Sequence, residues 1–138
     1  MAGQATLAIS LKVTGIGDDI NVANSQTLTV PVEALSGYTI TAGSPATTCI
    51  ALLASTANIA LAKVYGVYIK AEVGTIYITM QVDGTVVATN LTTSADMTLL
   101  VGESCFLPYN NGVTTPAGIQ VGGSAAIDAF SWVILGKA

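Results

Sequence analysis

The side chains able to move protons or hold a metal are few in this sequence, and their spacing decides what they can do. Histidine is absent, which removes the usual general base of serine and cysteine hydrolases and the commonest zinc ligand. Two carboxylate pairs stand near enough in the chain to suggest acid–base work on a glycosidic bond: Asp18 with Asp19, and Glu72 with Asp83. Adjacent residues on a strand point to opposite faces, and both pairs fall among turn formers, so they read as solvated turn carboxylates. Asp18, Asp19 and Asn21 beside Gly17 offer oxygen ligands for calcium, yet the loop lacks DxDxDG spacing. Gly15-Ile16-Gly17 and Val121-Gly122-Gly123-Ser124 lack the GK[ST] ending and following helix of a phosphate loop and read as tight turns. Cys49 and Cys105 are far apart and outside any CxxC spacing, so they form no metal or redox motif. They read either as two small buried apolar residues or as a disulfide joining two strands. The expectation is a chain that is not an enzyme and carries no metal, cofactor or small-molecule substrate.

Aromatic residues are the remaining source of specific contacts. Trp132 lies in the alternating run Phe130, Trp132, Ile134 and reads as a core anchor of a last strand, with a sugar-stacking platform as the alternative. Tyr65, Tyr68 and Tyr77 fall on both faces of neighbouring predicted strands, a placement that suits an interface as well as a core. Asn90-Leu91-Thr92 matches a glycosylation sequon, which matters only on a secretory route.

The elements that must position these residues are strands. Leu7, Ile9, Leu11 and Val13 alternate with Thr6, Ala8, Ser10 and Lys12, the period-two pattern of a strand with one buried face. A turn cluster, Gly15 to Asp19, follows, and then a second alternation through Leu28, Val30 and Val32, with Pro31 marking an edge or a bulge. Tyr38 to Thr41 reads as a short strand after Ser36-Gly37, and Thr47 to Ala54 as a short apolar one, with one or two helical turns over Ile50 to Leu61 as the alternative. Val64 to Ala71 and Thr75 to Val82 read as strands paired in a hairpin through Glu72-Val73-Gly74. Asp83-Gly84 supplies the two positive φ angles of a type I′ turn, with Thr85 to Ala88 returning. Thr98 to Val101, Ser104 to Leu107, Ala117 to Val121 and Ala129 to Leu135 complete the series. Turn signals recur every ten or so residues and no amphipathic helix exceeds two turns, which predicts an all-β, jelly-roll-like sandwich, one domain over residues 1–138.

Composition says what the outside of that sandwich is for. Charged residues make up 9% of the 138, with a net charge of −4, and apolar residues 51%, whereas an average soluble domain is about 25% charged. A monomer uses charge to suppress association, so a chain with so little of it is expected to cover its exterior with other protein. Four scattered lysines and no arginine cannot track phosphates, which argues against nucleic acid. The stretch Ile50 to Ile69 approaches a membrane span in length, but its polar break at Ser55 to Asn58 and its β-branched second half argue for strands and against a membrane partner. The first residues lack the charged start and apolar run of a secretory signal, so export by that route is not expected.

A charge-poor, Thr/Ala/Gly-rich all-β chain whose last part runs Asn111 to Ser124 and closes on Leu135-Gly136-Lys137 resembles the small decoration, or cement, proteins and related virion structural proteins of tailed bacteriophages. The resemblance implies a jelly-roll or sandwich domain, made in the host cytoplasm, that forms a homo-oligomer, dimer or trimer, on the capsid surface and clamps neighbouring major capsid protein subunits. On this reading the contact residues are Leu7 of the N-terminal segment, Tyr65, Tyr68 and Tyr77 of the central strands, and Pro108, Tyr109 and Pro116 of the following loop. Two other classes fit the sequence: a carbohydrate-binding or host-recognition module of a tail or fibre, and a surface-layer or fibre subunit that polymerises alone.

Overall fold

A computed structural model describes residues 5–13, 20–28, 33–41, 50–51, 63–81, 95–108 and 118–136. They form ten strands: β1 (Ala5–Val13), β2 (Ile20–Leu28), β3 (Glu33–Ile40), β4 (Ile50–Ala51), β5 (Val64–Val73), β6 (Ile76–Gln81), β7 (Met97–Leu99), β8 (Ser104–Pro108), β9 (Gly118–Gly123) and β10 (Ala129–Gly136). The protein is all β, with no α-helix among the described residues, in agreement with the sequence. Among the described residues no helix is long and apolar enough to cross a membrane.

Eight strands make two antiparallel four-stranded sheets, ordered β3-β10-β5-β8 and β4-β9-β6-β7, and β1 and β2 pair in a separate ribbon. The pairings are nested: β3 with β10, β4 with β9, β5 with β8, and β6 with β7. A four-rung antiparallel ladder of this kind, rolled up until β10 also meets β5 and β9 also meets β6, is a jelly roll.

Period two explains how the sheets find each other. Val67, Ile69 and Ala71 of β5 and Phe130 and Ile134 of β10 project inward from the first sheet. Ile76 and Ile78 of β6, Leu99 of β7 and Ile119 and Val121 of β9 meet them from the second. Trp132 lies on the same inward face of β10, half-buried against this cluster, and its indole N–H donates to Thr39 Oγ1 at 3.0 Å. It is the core anchor its alternation predicts, with its polar edge satisfied.

Three local expectations are corrected. β5 and β6 do not form a hairpin: β5 lies between β10 and β8 in one sheet, β6 between β9 and β7 in the other. Gly74, at φ +69°, turns the chain from one layer into the other, a conformation open to glycine and costly for other residues. The second strand starts earlier than the alternation through Leu28, Val30 and Val32 suggests, since β2 runs over Ile20–Leu28 in full register with β1. Its Asn, Ser and Gln residues give no apolar alternation, so the ladder to β1 decides its conformation where propensity does not. β3 begins at Glu33 and runs through Ser36-Gly37, because the bare Gly37 lies under the Trp132 indole, where an added methyl would meet the ring.

Other expectations hold. Glu103 N–H donates to Leu100 O at 2.9 Å around Gly102, at φ +86°, which is the turn read at Val101-Gly102-Glu103. The Asp83-Gly84 turn with its returning strand, the Asp18/Asp19 pair, the Asn90 sequon, Pro31, Cys49 and most of the Thr47 to Ala54 strand lie outside the described residues.

The far end of the sandwich is tied by one buried carboxylate. Asp128, 4% exposed, accepts from Ser124 Oγ at 2.6 Å and from Ala125 N–H at 2.9 Å. Its carbonyl accepts from the Thr41 N–H at 2.7 Å, and the Thr41 hydroxyl reaches Ala125 O at 2.7 Å. This joins the ends of β3 and β9 to the start of β10, right beside the Gly74 crossing, where a Cβ would strike the Asp128 carboxylate.

Candidate interaction surface

The outward face of the first sheet should be polar if water were its neighbour. Its registers place Val133 between Tyr68 and Ser36 with Phe106 beyond Tyr68, and Leu135 between Gly66 and Ala34 with Pro108 beyond Gly66. Tyr68, Phe106, Val133 and Leu135 are half-buried, and Tyr38 and Ile40 at the β3 edge are exposed. The face is apolar and aromatic along its middle rows.

Two local irregularities build it. The β5–β10 register steps from Leu135 opposite Gly66 to Gly136 opposite Val64, so Tyr65 is the extra residue of a bulge. Val64 then takes the inward position, fully buried, and Tyr65 is released to the side where Tyr68 stands. Gly66 leaves room for the Phe106 ring, which crosses it where a Cβ would stand.

Among the described residues, the ionic content of this face is one closed pair. Lys70 Nζ lies 2.9 Å from Glu72 Oε2, and Ser131 Oγ donates to Glu72 Oε1 at 2.7 Å. The Ser131 hydrogen bond, with that of Lys70, holds the Glu72 carboxyl below the usual range, and Glu72 raises the Lys70 ammonium in turn. The pair leaves no net charge.

β1 lies over part of the face without sealing against it. A cleft of about 740 Å³ separates Leu7 to Ser10 from Tyr65, Tyr68, Phe106 and Pro108, and a second of about 330 Å³ lies between Leu7 and Val133 and Leu135. The alternation of β1 is present as predicted, but its apolar face is not buried: Ile9 is 57% exposed, and Val22 across the ribbon 51%. The expected cover is missing because a two-stranded ribbon brings no second layer of its own.

Of the residues read as contacts in the sequence, Leu7, Tyr65, Tyr68 and Pro108 line this one cleft. Tyr77 is on β6 in the other sheet, facing away from it, while Tyr109 and Pro116 lie outside the described residues. Phe106, Val133 and Leu135 were not anticipated. The signal for Val133 and Leu135 was the unbroken apolar run Trp132 to Leu135, which a strand covered on both faces shows and a half-solvated one does not; Phe106 had no such signal.

Cys105, a half-buried free thiol beside the cleft, has its pKa raised by burial. Among the described residues no three His, Cys, Asp or Glu side chains converge on a point where a cation could sit. No family model matches the chain, and no curated protein or solved structure matches it either.

Proposed function

We propose that this protein is a structural component of a phage virion that associates with itself and binds the outer surface of the capsid, stabilising the shell by cementing its subunits. The observation that supports this reading is the apolar outer face of the first sheet, with the ribbon standing open beside it, on a chain with 9% charged residues. Such a face is costly in water and is what an interface core requires. The jelly-roll order is compatible with the reading and does not carry it, since one fold hosts many functions.

The stabilisation follows from mass action. A protein that binds the assembled shell and not its dissociated subunits shifts the equilibrium toward assembly, by about 2.7 kcal/mol per site at a hundredfold excess over Kd. Repetition over a lattice multiplies weak contacts into tight retention. The test is co-sedimentation of the purified chain with intact, empty and dissociated shells. Retention on shells and none on free subunits is expected; equal retention on both, or none at all, rejects the proposal.

A second reading, a carbohydrate-binding or host-recognition module, is favoured by Tyr65, Tyr68 and Phe106 meeting in one cleft. It requires glycan binding that Tyr68→Ala abolishes while the fold is retained.

A further inference from the structure

We infer that the β1–β2 ribbon of one copy seats on the outer face of the first sheet of a second copy, which lends its own ribbon in return, so that the chain forms a two-fold dimer by ribbon exchange. The inference rests on the self-associating half of the proposed function and not on the capsid half.

Three observations select a second copy as the occupant. The first is fit. Within one chain the ribbon and the face lie close yet stay apart, leaving clefts of about 740 and 330 Å³ between β1 and the sheet. Both clefts are open to solvent, so the apolar side chains that line them, Leu7, Phe106, Val133 and Leu135 among them, stay wetted within one chain. A two-stranded ribbon is marginal alone in water, and this one holds Ile9 and Val22 in solvent. Ribbon and face are each unfinished, and each has the apolar surface the other lacks. Exchange of an identical element between protomers is a low-cost route to a dimer.

Charge is the second. Two copies at −4 repel, so they can meet only where neither presents acid. The β1 and β2 strands contain one ionic residue, Lys12, and the middle of the face contains only the closed Lys70–Glu72 pair. A strongly charged partner finds no complementary field there, whereas a second copy needs none.

Area is the third. Nine residues per strand make a ribbon about 30 Å long and about 10 Å wide, hence a footprint of about 300 Å². One seat removes about 600 Å² from water counting both surfaces, below the range of about 1,200–2,000 Å² of specific interfaces. Two seats in one contact reach it. A three-fold ring would place a single seat at each contact, so reciprocity favours the two-fold form.

Cross-linking tests the seat. A Ser10→Cys chain and a Ser104→Cys chain, both carrying Cys49→Ala and Cys105→Ala, are co-expressed and treated with a short bis-maleimide, since Ser10 and Ser104 border the same cleft. Exchange gives a cross-linked species containing one of each chain. Light scattering on the unmodified protein then gives twice the 13.9 kDa chain mass, and Ile9→Asp weakens the dimer by about a hundredfold while its far-ultraviolet spectrum stays unchanged. A monomer, a trimer, or a Ser10→Cys/Ser104→Cys chain that cross-links only within itself overturns the inference. A cross-linked dimer that ignores shells rejects the capsid reading alone, and a shell-binding monomer rejects ribbon exchange alone.

Discussion

Asp128 shows how one side chain holds two layers in register. Burial by itself pushes its carboxyl up, but the Ser124 hydroxyl and the N–H groups of Ala125, Ser124 and Thr75 outweigh that and leave it below the ordinary range. A carboxyl with a depressed folded-state pKa stabilises above its unfolded pKa and loses the contribution as pH falls through the folded value. Asp128→Asn is therefore expected to cost about 1–3 kcal/mol at pH 7. The difference from the parent protein should shrink below about pH 4, as urea midpoints at pH 7 and pH 3 would reveal. Gly74→Ala places a methyl where the Asp128 carboxylate sits and forces φ +69° on a residue with a side chain. A loss of at least about 1–2 kcal/mol in the same urea titration is expected. Little of this was readable beforehand. Ile127-Asp128-Ala129 looks like any loop acid, because burial of a carboxylate depends on partners as distant as Thr41.

At the level of strands, β10 is the pivot. It pairs with β3 on one side and β5 on the other, sends Phe130 and Ile134 into the core, and gives Val133 and Leu135 to the outer face. The two faces separate by mutation. Phe130→Ala, at a fully buried site, is expected to cost about 3–5 kcal/mol in chemical denaturation. Val133→Thr, on the half-buried face, should lower stability by under about 1 kcal/mol yet weaken self-association measured by light scattering. Strands with apolar alternation, β1, β6 and β10, were legible as strands in the sequence. Pairing was not: the Glu72 to Gly74 link looks like a hairpin and is a layer change, since alternation names the faces of a strand but not its neighbours. β2 was missed because its polar residues make no periodic signal. In the same way, four of the anticipated contact residues meet in one cleft, but the bulge that turns Tyr65 toward Tyr68 leaves no mark in the residue pattern.

For the molecule as a whole, the scarcity of charge sets its response to solution conditions. The proposed association surface, without net charge, owes little to Coulomb forces, so raising salt from about 0.05 M to about 1 M should leave the proposed dimer intact, because screening acts on exposed charges. Sulfate, which is excluded from protein surface, should tighten it. Analytical ultracentrifugation across both series checks this, and dissociation at high salt would contradict the apolar surface described above. The all-β, jelly-roll-like class was readable from turn spacing and the lack of amphipathic helices. The layer to which each strand belongs required coordinates.

The nesting of the ladder bears on how the chain comes into being. Ile40 pairs with Ala129 and Glu33 with Gly136, so the outermost rung joins segments made early to one made late. Loop closure over such separations is slow. During synthesis β3 and β5 must wait, with unpaired edges, until residue 136 has emerged. The nascent protein is thus most vulnerable to clumping just before β10 arrives, and co-expression of a chaperone that shields β-rich intermediates should raise the yield of soluble product.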